Sequence, residues 1–82
     1  MNQSPLNIEV FQKRFGEVVR CQRHLLKISQ EELADRCGLH RTYISEIERG
    51  RKSASLKALL AIASALGCAP HFLIKEAEQT HD

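Results

Sequence analysis

Tryptophan is absent from this 82-residue sequence, and aromatic side chains amount to 5% of it. A core made from such a sequence has to come from Leu, Ile, Val and Ala. Proline occurs only as Pro5 and Pro70, and glycine only as Gly16, Gly38, Gly50 and Gly67. That scarcity excludes collagen-like and low-complexity chains. Cysteine is sparse too: Cys21, Cys37 and Cys68 are odd in number, and none stands in a C-x-x-C pair. A disulfide framework is therefore not expected; the thiols read as small apolar groups in a reducing, cytoplasmic setting. No apolar run approaches the ~20 residues of a membrane span, since the longest, 58–66, is broken by Ser64. Residues 1–6 are polar, so neither a leader nor a membrane partner is expected. Sustained period-two alternation is missing throughout, which leaves strands without a signal.

What is present belongs to a globular domain: 43% hydrophobic and 27% charged residues. The length suits one domain over 1–82, with 1–6 and 79–82 as flexible ends and a core of modest size. The net charge of +2 says little about partners; its distribution says more. Lys13, Arg14, Arg20, Arg23 and Lys27 face only Glu17 within 12–27, and Arg41, Arg49, Arg51, Lys52 and Lys57 outnumber Glu46 and Glu48 within 40–57. Acidic residues collect elsewhere, at Glu31, Glu32, Asp35, Glu76, Glu78 and Asp82. Positive charge is thus concentrated in two segments.

Five helices follow from the pattern. Phe11, Phe15, Val18, Val19 and Leu26 recur at helical steps and place a first helix over 7–26. Gly16 interrupts it at a cost of roughly 1 kcal/mol in propensity, which close packing would offset. Ser29 caps a second, short helix, Glu32 stands at capping-box spacing, and Gly38 ends it. Leu39 plugs the turn. A third helix begins after His40, runs to about Arg49 with Ile44 and Ile47 inward, and stops at Gly50. Ser55 caps a fourth over 56–66, with Leu59, Leu60, Ile62, Ala63 and Leu66 on its apolar face and Gly67 as its stop. Pro70 opens a fifth, reaching about Glu78 and carrying Phe72, Leu73, Ile74 and Ala77. The fold class is all-α.

Two short helices joined by a Gly-containing turn form a helix-turn-helix. Leu33, Ala34, Leu39, Ile44 and Ile47 fill the angle between them, Ala34 is small where the helices cross, and Gly38 permits the turn. The run Ile28-Ser29-Gln30-Glu31-Glu32-Leu33-Ala34, then Gly38-Leu39, then Ile44-Ser45-Glu46-Ile47-Glu48-Arg49-Gly50-Arg51, with Leu56, Leu60, Ile62, Ala63, Ala65, Leu66 and Gly67 behind it, resembles the Cro/cI-type helix-turn-helix family. The resemblance spans about residues 11–75. It implies a five-helix, lambda-repressor-like DNA-binding domain. Arg41-Thr42-Tyr43-Ile44-Ser45 and the short length resemble the controller proteins of restriction–modification systems, although similar runs occur in phage and plasmid repressors.

The resemblance puts the third helix in the major groove of double-stranded DNA. Arg41, Thr42, Ser45 and Glu46 are then the base-contact candidates, Arg41 through a bidentate bond to guanine and Glu46 by accepting from cytosine. Gln30, Tyr43, Arg20, Arg49, Arg51 and Lys52 are the backbone candidates, which set register without reading sequence. Glu46 has a second reading as the partner of a neighbouring Arg, and Arg49 as a helix-end residue. Arg23 and Glu48 match a family pair that bridges the first and third helices. Phe72, Ile74, Ala69 and His71 mark a homodimer interface on the last helix and the turn before it.

The expected activity is that of a dimeric, sequence-specific regulator on a palindromic operator, a repressor or autoregulatory controller with RNA polymerase as a further partner. An antitoxin that masks a toxin and represses its own operon is the alternative. No cofactor or metal is expected, because His24, His40, His71 and His81 lack ligand spacing. No nucleophile–base set or glycine-rich phosphate loop points to an enzyme.

Overall fold

The computed structural model describes residues 7–79. Its regular structure is helical throughout: α1 (Ile8–Leu25), α2 (Gln30–Cys37), α3 (Arg41–Glu48), α4 (Leu56–Leu66) and α5 (Pro70–Gln79). Side-chain caps begin three of them. Asn7 Oδ1, Ser29 Oγ and Ser55 Oγ each accept a backbone N–H three residues on, at 3.0 Å. Left-handed Gly38 and Gly67 end α2 and α4 at φ 70° and 74°, a conformation that strains any residue with a Cβ. His40 occupies the position before α3 but makes no side-chain cap bond. The flexible ends expected over 1–6 and 79–82 lie outside the described residues, except Gln79, which closes α5.

The core gathers one face from every helix: Phe15 and Val19, Leu33 and Ala34, Ile44 and Ile47, Ile62, Ala63 and Leu66, and Leu73 and Ala77. Three apolar residues depart from expectation. Leu26 is 45% exposed because it caps α1 beyond the buried face. Leu60 is 49% exposed; it lies one turn from exposed Leu56 and about 200° around α4 from buried Ile62. Leu39 is half-buried beside the core, where a full plug was expected.

α1 supports α3 through Gly16. A Cβ at that position would stand 2.5 Å from the Glu48 carbonyl oxygen and 2.8 Å from its carbon, and would also meet the Ile47 carbonyl oxygen. The two helices therefore meet backbone to backbone at the end of α3. This approach is the close packing that offsets the helix propensity forgone at Gly16.

Candidate nucleic-acid interface

α3 has a fixed inner side and a free outer side. Ile44, Ile47 and Glu48 are buried, while Arg41 and Thr42 in its first turn are exposed and Ser45 and Glu46 are half-buried. Arg41 with Ser45, and Thr42 with Glu46, are each one helical turn apart, so all four share neighbouring rows of the helix surface.

Behind that face lies a buried polar knot. Arg23 donates from Nε to Glu48 Oε2 at 2.7 Å and from Nη2 to Oε1 at 3.0 Å. Its Nη1 donates to the Ile28 carbonyl at 2.9 Å. Gln30 Nε2 donates to Glu48 Oε1 at 3.0 Å. One carboxylate near the end of α3 thus ties α1, the α1–α2 turn and the first residue of α2 together. The bond to Glu48 holds the Arg23 guanidinium above its ordinary pKa, against the opposing pull of burial. Among the described residues, no buried side-chain polar atom lacks a hydrogen-bond partner, the condition under which a buried ion pair is tolerated.

The basic loop after α3 folds back onto that helix. The backbone N–H groups of Arg51 and Lys52 donate to the Glu46 carbonyl at 2.8 and 3.4 Å. Lys52 Nζ stands 3.3 Å from Glu46 Oε1, so the cation beside Glu46 is Lys52, where a neighbouring Arg was one of its two readings. Arg49, Arg51 and Lys52 are all exposed. Arg20 is exposed on α1 beside Glu17, Cys21 and His24.

Two backbone candidates have a side-chain group engaged within the protein. Gln30 has an amide N–H committed to Glu48, where a phosphate contact was expected. The Tyr43 hydroxyl is engaged within the protein: it donates to the Ser53 carbonyl at 3.3 Å and accepts from the Ser55 N–H at 3.0 Å. The reason is the turn after α3, which brings 53–55 back beside the ring. Sequence reasoning missed Gln12, whose Nε2 donates to the Gly50 carbonyl at 3.2 Å and whose Oε1 accepts from the Ser53 hydroxyl. Nothing local marks Gln12, because its partner Gly50 lies 38 positions away.

The expected dimer residues divide. Ala69 and His71 are exposed, whereas Phe72 and Ile74 are half-buried and pack on the core. Exposed Leu56 and Leu60 add an apolar stripe on α4. Among the described residues, no group of three or more His, Cys, Asp or Glu is placed to hold a metal ion, and no single helix is long and apolar enough to cross a membrane.

Comparison with known proteins agrees with this geometry. The family described as helix-turn-helix matches residues 21–73, more than half of the chain. Control protein C.BamHI of Bacillus amyloliquefaciens is 52% identical over 62 residues, covering 73% of this chain and 75% of that protein. The restriction-modification controller protein C.AhdI from Aeromonas hydrophila superposes with a TM-score of 0.74 at 39% identity, over 76% of this chain and 94% of that one. The P22 c2 repressor protein, solved in complex with a synthetic operator, gives a TM-score of 0.72 at 37% identity over 76% of this chain and 94% of that one. Family match, relatives and all-helical fold agree, and the chain belongs to the Cro/cI-type helix-turn-helix family of DNA-binding transcription regulators.

Proposed function

We propose that this chain, acting as a single domain, is a dimeric, sequence-specific regulator of the restriction–modification controller type. It binds a palindromic operator in the bacterial cytoplasm and represses by covering a promoter, its own included. Where the operator leaves RNA polymerase within reach, it activates. The observation that carries this reading is α3 itself. Its inner side is locked by Ile44, Ile47 and the Arg23–Glu48 pair, while Arg41 and Thr42 stand exposed in its first turn. A rigid helix with polar groups at its N-terminal end is what major-groove reading requires.

Arg41, Thr42, Ser45 and Glu46 read bases in this proposal, and Arg20, Arg49, Arg51 and Lys52 hold phosphates. Gln30 contributes a backbone contact through the groups its bond to Glu48 leaves open. Tyr43 contributes from its ring edge. The dimer forms through Ala69, His71, Phe72 and Ile74, and exposed Leu56 and Leu60 extend the apolar area available to it.

The test is selection of bound duplexes from a random pool. Two inverted half-sites about one helical turn, ~34 Å, apart are expected. Arg41→Ala should remove discrimination at one position of each half-site, by about 1–3 kcal/mol. Arg51→Ala should weaken all sequences alike. A pool that enriches no common motif refutes the proposal.

A further inference from the structure

The loop between α3 and α4 carries two exposed cations, Arg51 and Lys52, next to the outer face of α3. A loop is a poor platform for phosphate contacts unless something holds it, because ordering it on binding costs affinity. This loop is held from both sides. From α1, Gln12 donates to the Gly50 carbonyl at 3.2 Å and accepts from the Ser53 hydroxyl. From α3, the Tyr43 hydroxyl bridges the Ser53 carbonyl and the Ser55 N–H. The loop is also wedged against α1: a Cβ on Gly50, which has φ 74°, would stand 2.7 Å from Lys13 Cγ and 2.8 Å from Lys13 Cα. Arg51 and Lys52 therefore lie inside a segment fixed at 50, 53 and 55.

We infer that Gln12 and Tyr43 are positioning residues for DNA affinity, acting through the loop and its cations Arg51 and Lys52. The inference rests on the DNA-binding reading above and deepens it. Gln12 makes the sharper case. Its side chain lies in a cleft with Phe11, Phe15, Leu59 and Ile74, and its amide donates one N–H to the loop and accepts from it through the carbonyl oxygen. Tyr43 sits in the recognition helix itself, so its substitution removes the loop tie together with any contact the ring makes to DNA. Gln12 separates the two.

The experiment measures affinity of the full chain for a selected duplex and for a mixed-sequence duplex of equal length, across a salt series. Gln12→Ala is expected to weaken both duplexes by the same factor, about two- to tenfold for removal of a hydrogen-bonded tie. It should also flatten the dependence of log affinity on log salt, by about 1 for each phosphate that is no longer neutralised. In an Arg51→Ala/Lys52→Ala background, adding Gln12→Ala should change nothing further. A global loss of stability lowers the active fraction and leaves the slope alone, so the slope isolates positioning from folding.

Native affinity and slope in Gln12→Ala overturn the inference. So does an equal loss in the background without the two cations. Should Gln12→Ala fail to give a native helical signal, Tyr43→Phe, which removes only the hydroxyl, carries the same two readouts with the same meaning. An unmodified chain that binds neither duplex brings down the functional reading and this inference together, before any variant is made.

Discussion

Gly16→Ala sets two effects against each other with opposite signs. Alanine in place of glycine inside a helix stabilises by about 1 kcal/mol through backbone entropy. Helix propensity alone therefore predicts a more stable variant. The structure predicts the reverse. The new methyl would lie 2.5 Å from the Glu48 carbonyl oxygen and close against the Ile47 carbonyl, whereas unstrained neighbours need about 3.5 Å. α1 and α3 would have to part by about 1 Å to restore that separation. The obstacle is backbone, so no rotamer change relieves it. The end of α3 is meanwhile held by buried Ile47 and by the Arg23–Glu48 pair. Overpacking of this kind costs about 1–3 kcal/mol, and a backbone collision belongs near the upper limit. The net effect is a loss of about 2 kcal/mol, a fall of about 8–16 °C in Tm for a domain of this size. Urea and thermal unfolding, followed by the helical circular dichroism signal, measure it directly. A Tm at or above that of the unmodified chain would refute the packing argument and hand the position to propensity.

Further predictions rest on buried Arg23 and Glu48 and on half-buried Cys37 and Cys68. Glu48→Ala leaves Arg23, which is 8% exposed, without its carboxylate, and should cost about 3–5 kcal/mol in urea unfolding; a loss below about 1 kcal/mol would show that water replaces the pair. The folded-state pKa of Arg23 is raised, so its contribution is complete throughout the neutral range and disappears only as alkali carries pH through that raised value. Burial also pushes the thiols of Cys37 and Cys68 up. With exposed Cys21 as the internal comparison, mild alkylation read by mass spectrometry should label Cys21 first and the other two late; equal rates at all three would contradict the burial. Because these two thiols hold their protons more tightly folded than unfolded, stability should decline as pH rises through the thiol range.

Signals carried by a few adjacent residues were legible. Ser55 and Gly67 bound α4 at the expected residues, because a cap bond spans three positions and a left-handed stop needs only one. Ser29 and Gly38 do the same for α2. The buried set Leu33, Ala34, Ile44 and Ile47 was legible from spacing within one motif. Leu60 was not: its apolar character says that it favours burial, and whether a neighbour arrives to cover it depends on how α4 is oriented. The roles of Tyr43, Gln12 and Lys52 were hidden for a related reason. Each is polar and suited to solvent or DNA, and each finds its partner only when the α3–α4 loop returns to α1 and α3.

The order of residues along the chain was thus enough for the helices, their ends, the helix-turn-helix and the family, because all of these rest on short-range spacing. Folding settled which polar groups of that motif remain available. It committed an amide N–H of Gln30 to Glu48, engaged the Tyr43 hydroxyl with 53 and 55, placed Lys52 beside Glu46, and left Arg41 and Thr42 exposed. It also settled the meaning of Gly16, a propensity defect along the chain and the packing surface for α3 in the fold. Hydrogen bonds and van der Waals forces act over a few ångströms, and only folding brings position 12 to 50 and position 16 to 48.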